Sequence, residues 1–329
     1  MKMKIIDCDI SSDQAEENLE AVSICLGNLD GVHRGHQRMI LTSLKYCKDH
    51  PMQPAVFLFK DHSEKQIRQQ AKRQLTSLED KLKLLEHIGV QLAYLKTFDQ
   101  DFMSMDKESF VRDFLVKRLN TRHIVIGKDY SFGKMAEGRI KDLKEWEGKY
   151  AYSLDVVPDV LYEGCRISST RVRNEVKVGH VEKARDMLGY AYMIHGKVQT
   201  GAKRGHSLGF PTANLALEFP YVLPEDGVYL TSMLVRGKTY YGMTDIGSNP
   251  TFGGDQVKIE THLFDFSENI YGEPVTLNFL RYERGEIRFS CVQDLIDQLR
   301  RDDQLIRKWA KEEEKKKKNN LTEPLRGIH

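Results

Sequence analysis

The 329-residue chain reads as an α/β domain with a parallel sheet, followed by a small antiparallel β-barrel and a terminal helix. Two observations predict this. Through residue 188, short apolar runs that end at glycine or proline alternate with segments of helical period, as in a doubly wound sheet. From Ala191 onward, strand-like runs separated by Gly, Pro and Asn follow one another, and no helical period returns until Val292.

The elements follow in order. AVSICLG (21–27) is a buried parallel strand, and GHQRMILTSLKYCKDH (35–50) a helix. PAVFLF (54–59) is a second strand. Thr76 and Glu79 have the spacing of a capping box for a helix that runs to Gly89. VQLAYL is a strand, DKESFVRDFLVKRLN a helix, and HIVIG and LDVVP are strands. STRVRNEVKVG and HVEKARDMLG are two closing helices. In the second half, VYLTSMLVRGKTYYGMTDIG is a hairpin turning at Arg236-Gly237-Lys238, and KIETHLFDF and PVTLNFLRYERGEIRF carry β-branched and aromatic alternation. The helix from Val292 runs into a basic tail from Lys315, expected to be solvated and frayed.

Composition narrows the class. Charged residues make up 30% and the net charge is +2, which disfavours nucleic acid as the main partner. No apolar run reaches the roughly 18 residues of a membrane span, and the N-terminus lacks a signal-peptide core. The expected compartment is the cytoplasm. The five cysteines are scattered, which argues against a disulfide framework or zinc site, and Cys25 reads as a core residue. No oligomer is indicated.

Two segments have the look of phosphate sites. GNLDGVHRGH (27–36) sets His33 and His36 three residues apart where a helix begins, after a strand and among Gly27, Gly31 and Gly35. Unpaired N–H groups at a helix start suit phosphate, and histidines there can donate to its oxygens. A metal pair or two capping histidines are the alternatives. The spacing departs from the Walker pattern, which disfavours γ-phosphate transfer here. SSTRVR, with Ser168, Ser169, Thr170, Arg171 and Arg173, opens another helix in the same manner, an ordinary N-cap being the alternative. The second segment, GKVQTGAKRGHSLGFPTANL, has Gly196, Gly201, Gly205 and Gly209 before Thr212 and Asn214. It reads as a phosphate turn with two oxygen donors for Mg²⁺, or as a hairpin turn. Glu260, in a strand, is a candidate base for a substrate hydroxyl or a solvent-facing residue. Two nucleotide sites in one chain suggest two consecutive reactions on one substrate.

G-x-x-D-G-V-H-x-G-H (27–36) with S-S-T-x-x-R (168–173) resembles the adenylyltransferase half of bacterial bifunctional riboflavin kinase/FAD synthetases. These belong to the nucleotidylyltransferase superfamily with its H-x-G-H signature. GKDYSFGKMAEG (127–138) is similar to that family's G-x-D/N-x-x-F-G-x-x-x-x-G segment. L-G-F-P-T-A-N-L, L-P-E-D-G-V-Y, N-P-T-F, I-E-T-H-L-F-D-F and I-Y-G, in that order, resemble the riboflavin kinase domain. The resemblance implies a Rossmann-like domain over 1–188, a six-stranded antiparallel barrel over 189–314, and a basic tail over 315–329. It implies that the barrel makes FMN from riboflavin and ATP, and that the first domain makes FAD from FMN and ATP with release of pyrophosphate, both with Mg²⁺.

By the same resemblance, His33, His36 and Arg173 are catalytic, and Gly27, Asp30, Gly31, Gly35, Ser169 and Thr170 bind ATP. His62, Asp129 and Phe132 hold or orient the flavin. In the second domain Gly201, Gly205 and Gly209 bind ATP phosphates, Thr212 and Asn214 hold Mg²⁺, and Glu260 is the base for the ribityl 5′-hydroxyl. One segment departs. Where the family reads T-F-D-P-H-P, this chain reads LFKDHS (58–63), keeping His62 but losing both prolines and introducing Lys60. A loop without its prolines is less pre-set in shape. The alternative expectations are a riboflavin kinase with a weakened or inactive first domain, and a flavin-binding regulator that senses FMN or touches RNA through the lysine-rich tail.

Overall fold

The computed structural model describes residues 2–9, 20–60, 73–201, 209–249 and 256–320. The chain divides into two compact units, one of Met1–Lys72 with Thr76–Ser169, the other of Arg73–Leu75 with Thr170–His329.

The first unit is built on β1 (Lys4–Asp7), β2 (Val22–Leu26), β3 (Gln53–Phe59), β4 (Leu92–Lys96), β5 (Thr121–Gly127) and β6 (Ser153–Val157). All pair in parallel, in the order β1-β4-β3-β2-β5-β6. Chain order reverses between β2 and β5, so the crevice of the sheet opens at the end of β2. Residue parity sorts side chains between the two faces. Ile24, Leu26, Phe57, Tyr94 and Ile126 pack with a cluster of phenylalanines on one side. Cys25, Val56, Leu58, Ala93 and Val125 pack on the other, with Met39 and Ile40 of α1 (Arg34–Asp49) and Leu85 of α2 (Leu78–Ile88).

A buried polar chain pins α1 to the sheet. Ser23 Oγ lies 2.7 Å from Ser43 Oγ and 2.7 Å from His123 Nδ1, while Ser43 donates to the Ser23 carbonyl at 3.1 Å. His123 Nε2 faces Asp155 at 3.3 Å, and Tyr46 stacks on the His123 ring at 3.7 Å.

Several elements differ from expectation. The capping box of α2 is made by Ser77 and Asp80, not by Thr76 and Glu79: Asp80 N–H donates to Ser77 Oγ at 3.1 Å, and Ser77 N–H to Asp80 Oδ2 at 2.9 Å. The segment expected as one helix over 106–120 is a single turn, α4 (Lys107–Ser109), that continues as a π-helix over Phe110–Arg118. The short α3 (Gln100–Ser104) precedes it. Helix α5 (Ile140–Tyr150) and edge strand β1 were not anticipated.

From Thr170 onward the second unit holds the closing helices α6 (Ser169–Lys177), whose first residue is counted with the first unit, and α7 (Val181–Leu188). Its barrel is formed by β9 (Met193–Gln199), β10 (Ala213–Leu217), β11 (Gly227–Val235), β12 (Lys238–Asn249), β13 (Gln256–Leu263) and β14 (Pro274–Arg284). The small hairpin β7 (Leu161–Tyr162) and β8 (Cys165–Arg166) belongs to the first unit. The barrel closes antiparallel in the order β10-β13-β12-β11-β14-β9. The β11–β12 turn falls at Arg236-Gly237, both at positive φ, as a tight hairpin requires. Helix α8 (Val292–Asn320) lays Ile306 and Ala310 on the outer apolar patch of Leu230, Met243, Phe264 and Leu280. It is held by the Arg284–Asp302 ion pair at 2.6 Å, whose carboxylate is buried. The helix runs past Lys315, where fraying was expected, to Asn320.

Inside the barrel, Thr231, Thr244 and Thr261 are fully buried and share hydroxyl contacts of 2.7 and 2.8 Å across three strands. Replacing the middle hydroxyl with a methyl leaves its two neighbours without that partner. Thr244→Val is expected to cost about 1–3 kcal/mol of stability, read from the urea midpoint; an unchanged midpoint would show that the chain contributes nothing.

Candidate functional sites in the two units

In the first unit, β2 ends at Gly27, at the reversal point of the sheet. Among the described residues a Cβ on Gly27 would meet only Leu29, at an ordinary 3.5 Å, so none of them demands glycine there. Close approach of a ligand does supply a reason. The loop beyond is contorted: Leu29, Gly31 and Val32 all have positive φ, and for a β-branched residue that is strained. Buried hydrogen bonds hold it in place. Thr76 donates its N–H and hydroxyl to Asp30 Oδ1 at 3.2 and 3.1 Å, Gly31 N–H donates to Thr76 Oγ1 at 2.9 Å, and Gln37 Nε2 donates to the Val32 carbonyl at 2.9 Å. Ser169 Oγ donates to the Asp30 carbonyl at 2.9 Å. Thr76, read as a helix cap, is thus an anchor of this loop, and Asp30 is buried against it.

His33 caps α1, its Nδ1 accepting from the His36 N–H at 3.4 Å, which leaves Nε2 as the donor. The two rings stack at 3.6 Å with an interplanar angle of 17°. Gly35 keeps the stack open, since a Cβ there would sit 3.1 Å from the His33 ring. Burial pushes the His33 imidazole down to about 4, and burial followed by the His33 neighbour holds His36 well below the usual range. Both rings are therefore neutral donors near pH 7. His36 Nδ1 and Arg34 Nε are buried with no hydrogen-bond partner among the described residues. Two orphaned nitrogens at a helix N-terminus fit acceptor oxygens such as those of phosphate.

Asp129 follows β5 and is ion-paired with Arg166 at 2.7 Å; Arg166 also reaches Asp159 at 3.2 Å. Phe132 is buried in the aromatic cluster, stacked on Tyr130 at 5.8 Å. Gly138 exists for that ring: a Cβ would meet it at 2.7 Å. Lys60 pairs with Asp7 and Asp9, each at 2.7 Å, so the departing residue is tied to the carboxyl end of β1. His62 lies outside the described residues. Thr170 and Arg173 follow Ser169 on α6 and belong to the second unit.

In the second unit, strand register lines up Asn214 of β10, Glu260 of β13 and Asp245 of β12 as direct partners on the outer face of the barrel. Thr212 immediately precedes β10. The Asn214 amide is buried and lies over Gly201, where a Cβ would fall 2.1 Å from Nδ2. Gly209 is at φ 84, and no described residue lies against it, so its glycine serves the backbone. Gly205 lies outside the described residues. Glu260 is mostly buried and takes an ion pair from Lys258 at 3.3 Å. No group of three or more His, Cys, Asp or Glu among the described residues is arranged to hold a metal. The Thr212 and Asn214 oxygens fit Mg²⁺, which takes few protein ligands and shares its shell with water and phosphates.

Because the folded state holds His33 down to about 4, against an ordinary 6.5, it binds fewer protons than the unfolded chain between those values. The stabilisation is full above the ordinary value and is lost as pH falls toward the folded one. Melting of the wild type is expected to fall more than that of His33→Gln between about pH 7 and about pH 5; equal falls would mean an imidazole that titrates freely. Gly201→Ala must displace the Asn214 amide. It is expected to lower stability by about 1–3 kcal/mol, read from the urea midpoint; an unchanged midpoint would show that the amide moves aside freely.

The comparisons agree across both units. A family model for FAD synthetase matches residues 15–171, and one for riboflavin kinase matches residues 188–310. The bifunctional riboflavin kinase/FMN adenylyltransferase of Listeria monocytogenes is 38% identical over 286 residues, covering 85% of this chain and 90% of that protein. That of Bacillus subtilis is 34% identical, covering 88% and 92%. A solved Streptococcus pneumoniae structure described as a macrolide-efflux protein matches with a TM-score of 0.84 at 30% identity, over 93% of this chain and 99% of that one. No helix among the described residues here is long and apolar enough to cross a membrane. On the two matched domains and the extent of these relationships, the chain belongs to the bifunctional riboflavin kinase/FMN adenylyltransferase family, which phosphorylates riboflavin to FMN and adenylylates FMN to FAD.

Proposed function

We propose that the two reactions are divided between the two halves of the chain, with adenylylation in residues 1–188, phosphorylation in 189–314, and 315–329 as an appendage to neither. The observation that carries this is the pair of separately built sites, each with its own glycine turn and polar constellation.

In the first half, the FMN phosphate attacks the α-phosphorus of ATP, a new P–O–P link forms, and pyrophosphate leaves. The residues assigned here are His33 and His36 as neutral donors to phosphate oxygens, with Arg173, Ser169 and Thr170 binding the nucleotide. Gly27, Gly31 and Gly35 give the backbone its approach, and Asp30 acts as the anchor of that loop. Asp129, Phe132 and His62 orient the flavin, Phe132 from within the core. Neutral imidazoles donate hydrogen bonds without the cost of burying charge, and one such donor contributes about 3–4 kcal/mol to the transition state. The ion-paired Lys60 supports a working first domain, since its charge is held by Asp7 and Asp9.

In the second half, the riboflavin 5′-hydroxyl attacks the γ-phosphorus, its proton passes to Glu260, and ADP leaves. Gly201, Gly205 and Gly209 cradle the phosphates, and Thr212 and Asn214 hold Mg²⁺. When bound, that ion neutralises phosphate charge. We place the enzyme in the cytoplasm; the five cysteines are free thiols, as a reducing compartment allows.

Purified protein given riboflavin, ATP and Mg²⁺ should show FMN rising and then giving way to FAD on chromatography. Glu260→Gln is expected to slow FMN formation by 10²-fold or more (an order-of-magnitude estimate), with adenylylation of supplied FMN continuing. His36→Ala should do the reverse, by about 10²–10³-fold. Loss of both activities from either change in a folded protein would refute the division.

A further inference from the structure

Asp245 is the residue of the second unit that the assignments above leave without a task. It is the direct cross-strand partner of Glu260, as Glu260 is of Asn214. Paired residues of a sheet project to the same side. The neighbours Thr244 and Thr261 point into the closed interior, where their hydroxyls meet. Asn214, Glu260 and Asp245 therefore form a row of oxygen-bearing side chains on the outer face, one strand spacing of roughly 4.8 Å apart.

Next to this row the protein gathers acceptors. Gly247 lacks the side chain that would separate them: a Cβ there would fall 2.7 Å from Glu286 Oε1 and 3.9 Å from Asp245 Oδ2. The Asp245 carboxylate receives no hydrogen bond from any described residue, in contrast to Asp226 nearby, which accepts from the N–H and hydroxyl of Ser248. The side chain is open to solvent at its surface, yet desolvation, with Glu286 and Glu260 beside it and Arg284 opposing, pushes the Asp245 carboxyl up to about 6. An acceptor that no described residue satisfies suits a ligand that brings its own donor. A row set across the strands suits a linear ligand with a donor at each step.

Resting on the reading that Glu260 faces the terminal hydroxyl of riboflavin, we propose that Asp245 accepts hydrogen bonds from the inner hydroxyls of the ribityl chain. It would make the kinase site selective for a polyhydroxylated side arm over a plain alkyl alcohol. Discrimination of this type is strong because a missing hydroxyl leaves a site acceptor unpaired.

The test compares two acceptors with ATP and Mg²⁺: riboflavin, and an isoalloxazine whose five-carbon arm carries only the terminal hydroxyl. Wild type should favour riboflavin. In Asp245→Ala, kcat/KM for riboflavin should fall about tenfold further than kcat/KM for the analogue, chiefly through KM. Asp245→Asn, which keeps an acceptor oxygen and the side-chain shape, should retain part of the preference. Equal losses with both acceptors would overturn the proposal, as would an unchanged preference. A higher Mg²⁺ requirement with both acceptors would instead make Asp245 a cation-holding residue. Melting temperature reports whether the alanine variant folds, and the asparagine variant carries the comparison if it does not. Wild type that fails to phosphorylate riboflavin at all would defeat the underlying reading, an outcome distinct from lost selectivity.

Discussion

A strand repeats every two residues, so a slip of one residue between β13 and its neighbours would turn Glu260 inward and Thr261 outward. The Thr231–Thr244–Thr261 hydroxyl chain and the outer row of Asn214, Glu260 and Asp245 are two sides of one register. A slip would separate the hydroxyls that now meet in the interior. Interior packing therefore fixes the outer polar geometry without any of those outer residues bonding one another. Closure of the barrel adds to this, because a closed sheet has no free edge along which to slide.

The first unit solves a different problem. Its phosphate loop needs backbone shapes that L-residues resist, at Leu29 and Val32 as well as Gly31. Such strain persists where surroundings over-determine it. Here they do so through full burial of Leu29 and Val32 and through the bonds from Thr76, Gln37 and Ser169. The histidines then stand at the mouth of α1 as uncharged rings. In that state they avoid repelling each other across the 3.6 Å stack and still present N–H donors.

Most strands were legible because buried parallel strands are largely apolar, as VSICL is apart from Ser23, and because Gly27 and Gly89 punctuate their neighbours. The glycine motifs were legible for the same reason, as backbone demands written in residue type. What escaped had weaker or misleading local signals. Helix α5 has Leu143 and Trp146 at helical spacing, but they sit among charged residues and Gly148. Strand β1 is four residues long with both ends half-exposed or open, too short for a period. Thr76 and Ser77 both have an acid three residues on, and only tertiary contact with Asp30 decides which one caps. Asp245 was invisible because nothing local marks it. Its partner is fifteen residues away and is brought beside it by strand pairing.

The polar chain that fastens α1 to the sheet carries a deficit of protons. Four contacts need one each: Ser43 to the Ser23 carbonyl, Ser43 with Ser23, Ser23 with His123, and His123 with Asp155. Ser43, Ser23 and a neutral His123 bring three hydrogens, so the tautomer of His123 decides whether the Ser23 carbonyl or the Asp155 carboxylate goes without one. Burial holds His123 below its ordinary value, with Asp155 pulling the other way. The chain is therefore one proton short while His123 is neutral, and the shortfall falls on one of its two longest links, the 3.1 Å contact to the Ser23 carbonyl or the 3.3 Å contact to half-open Asp155.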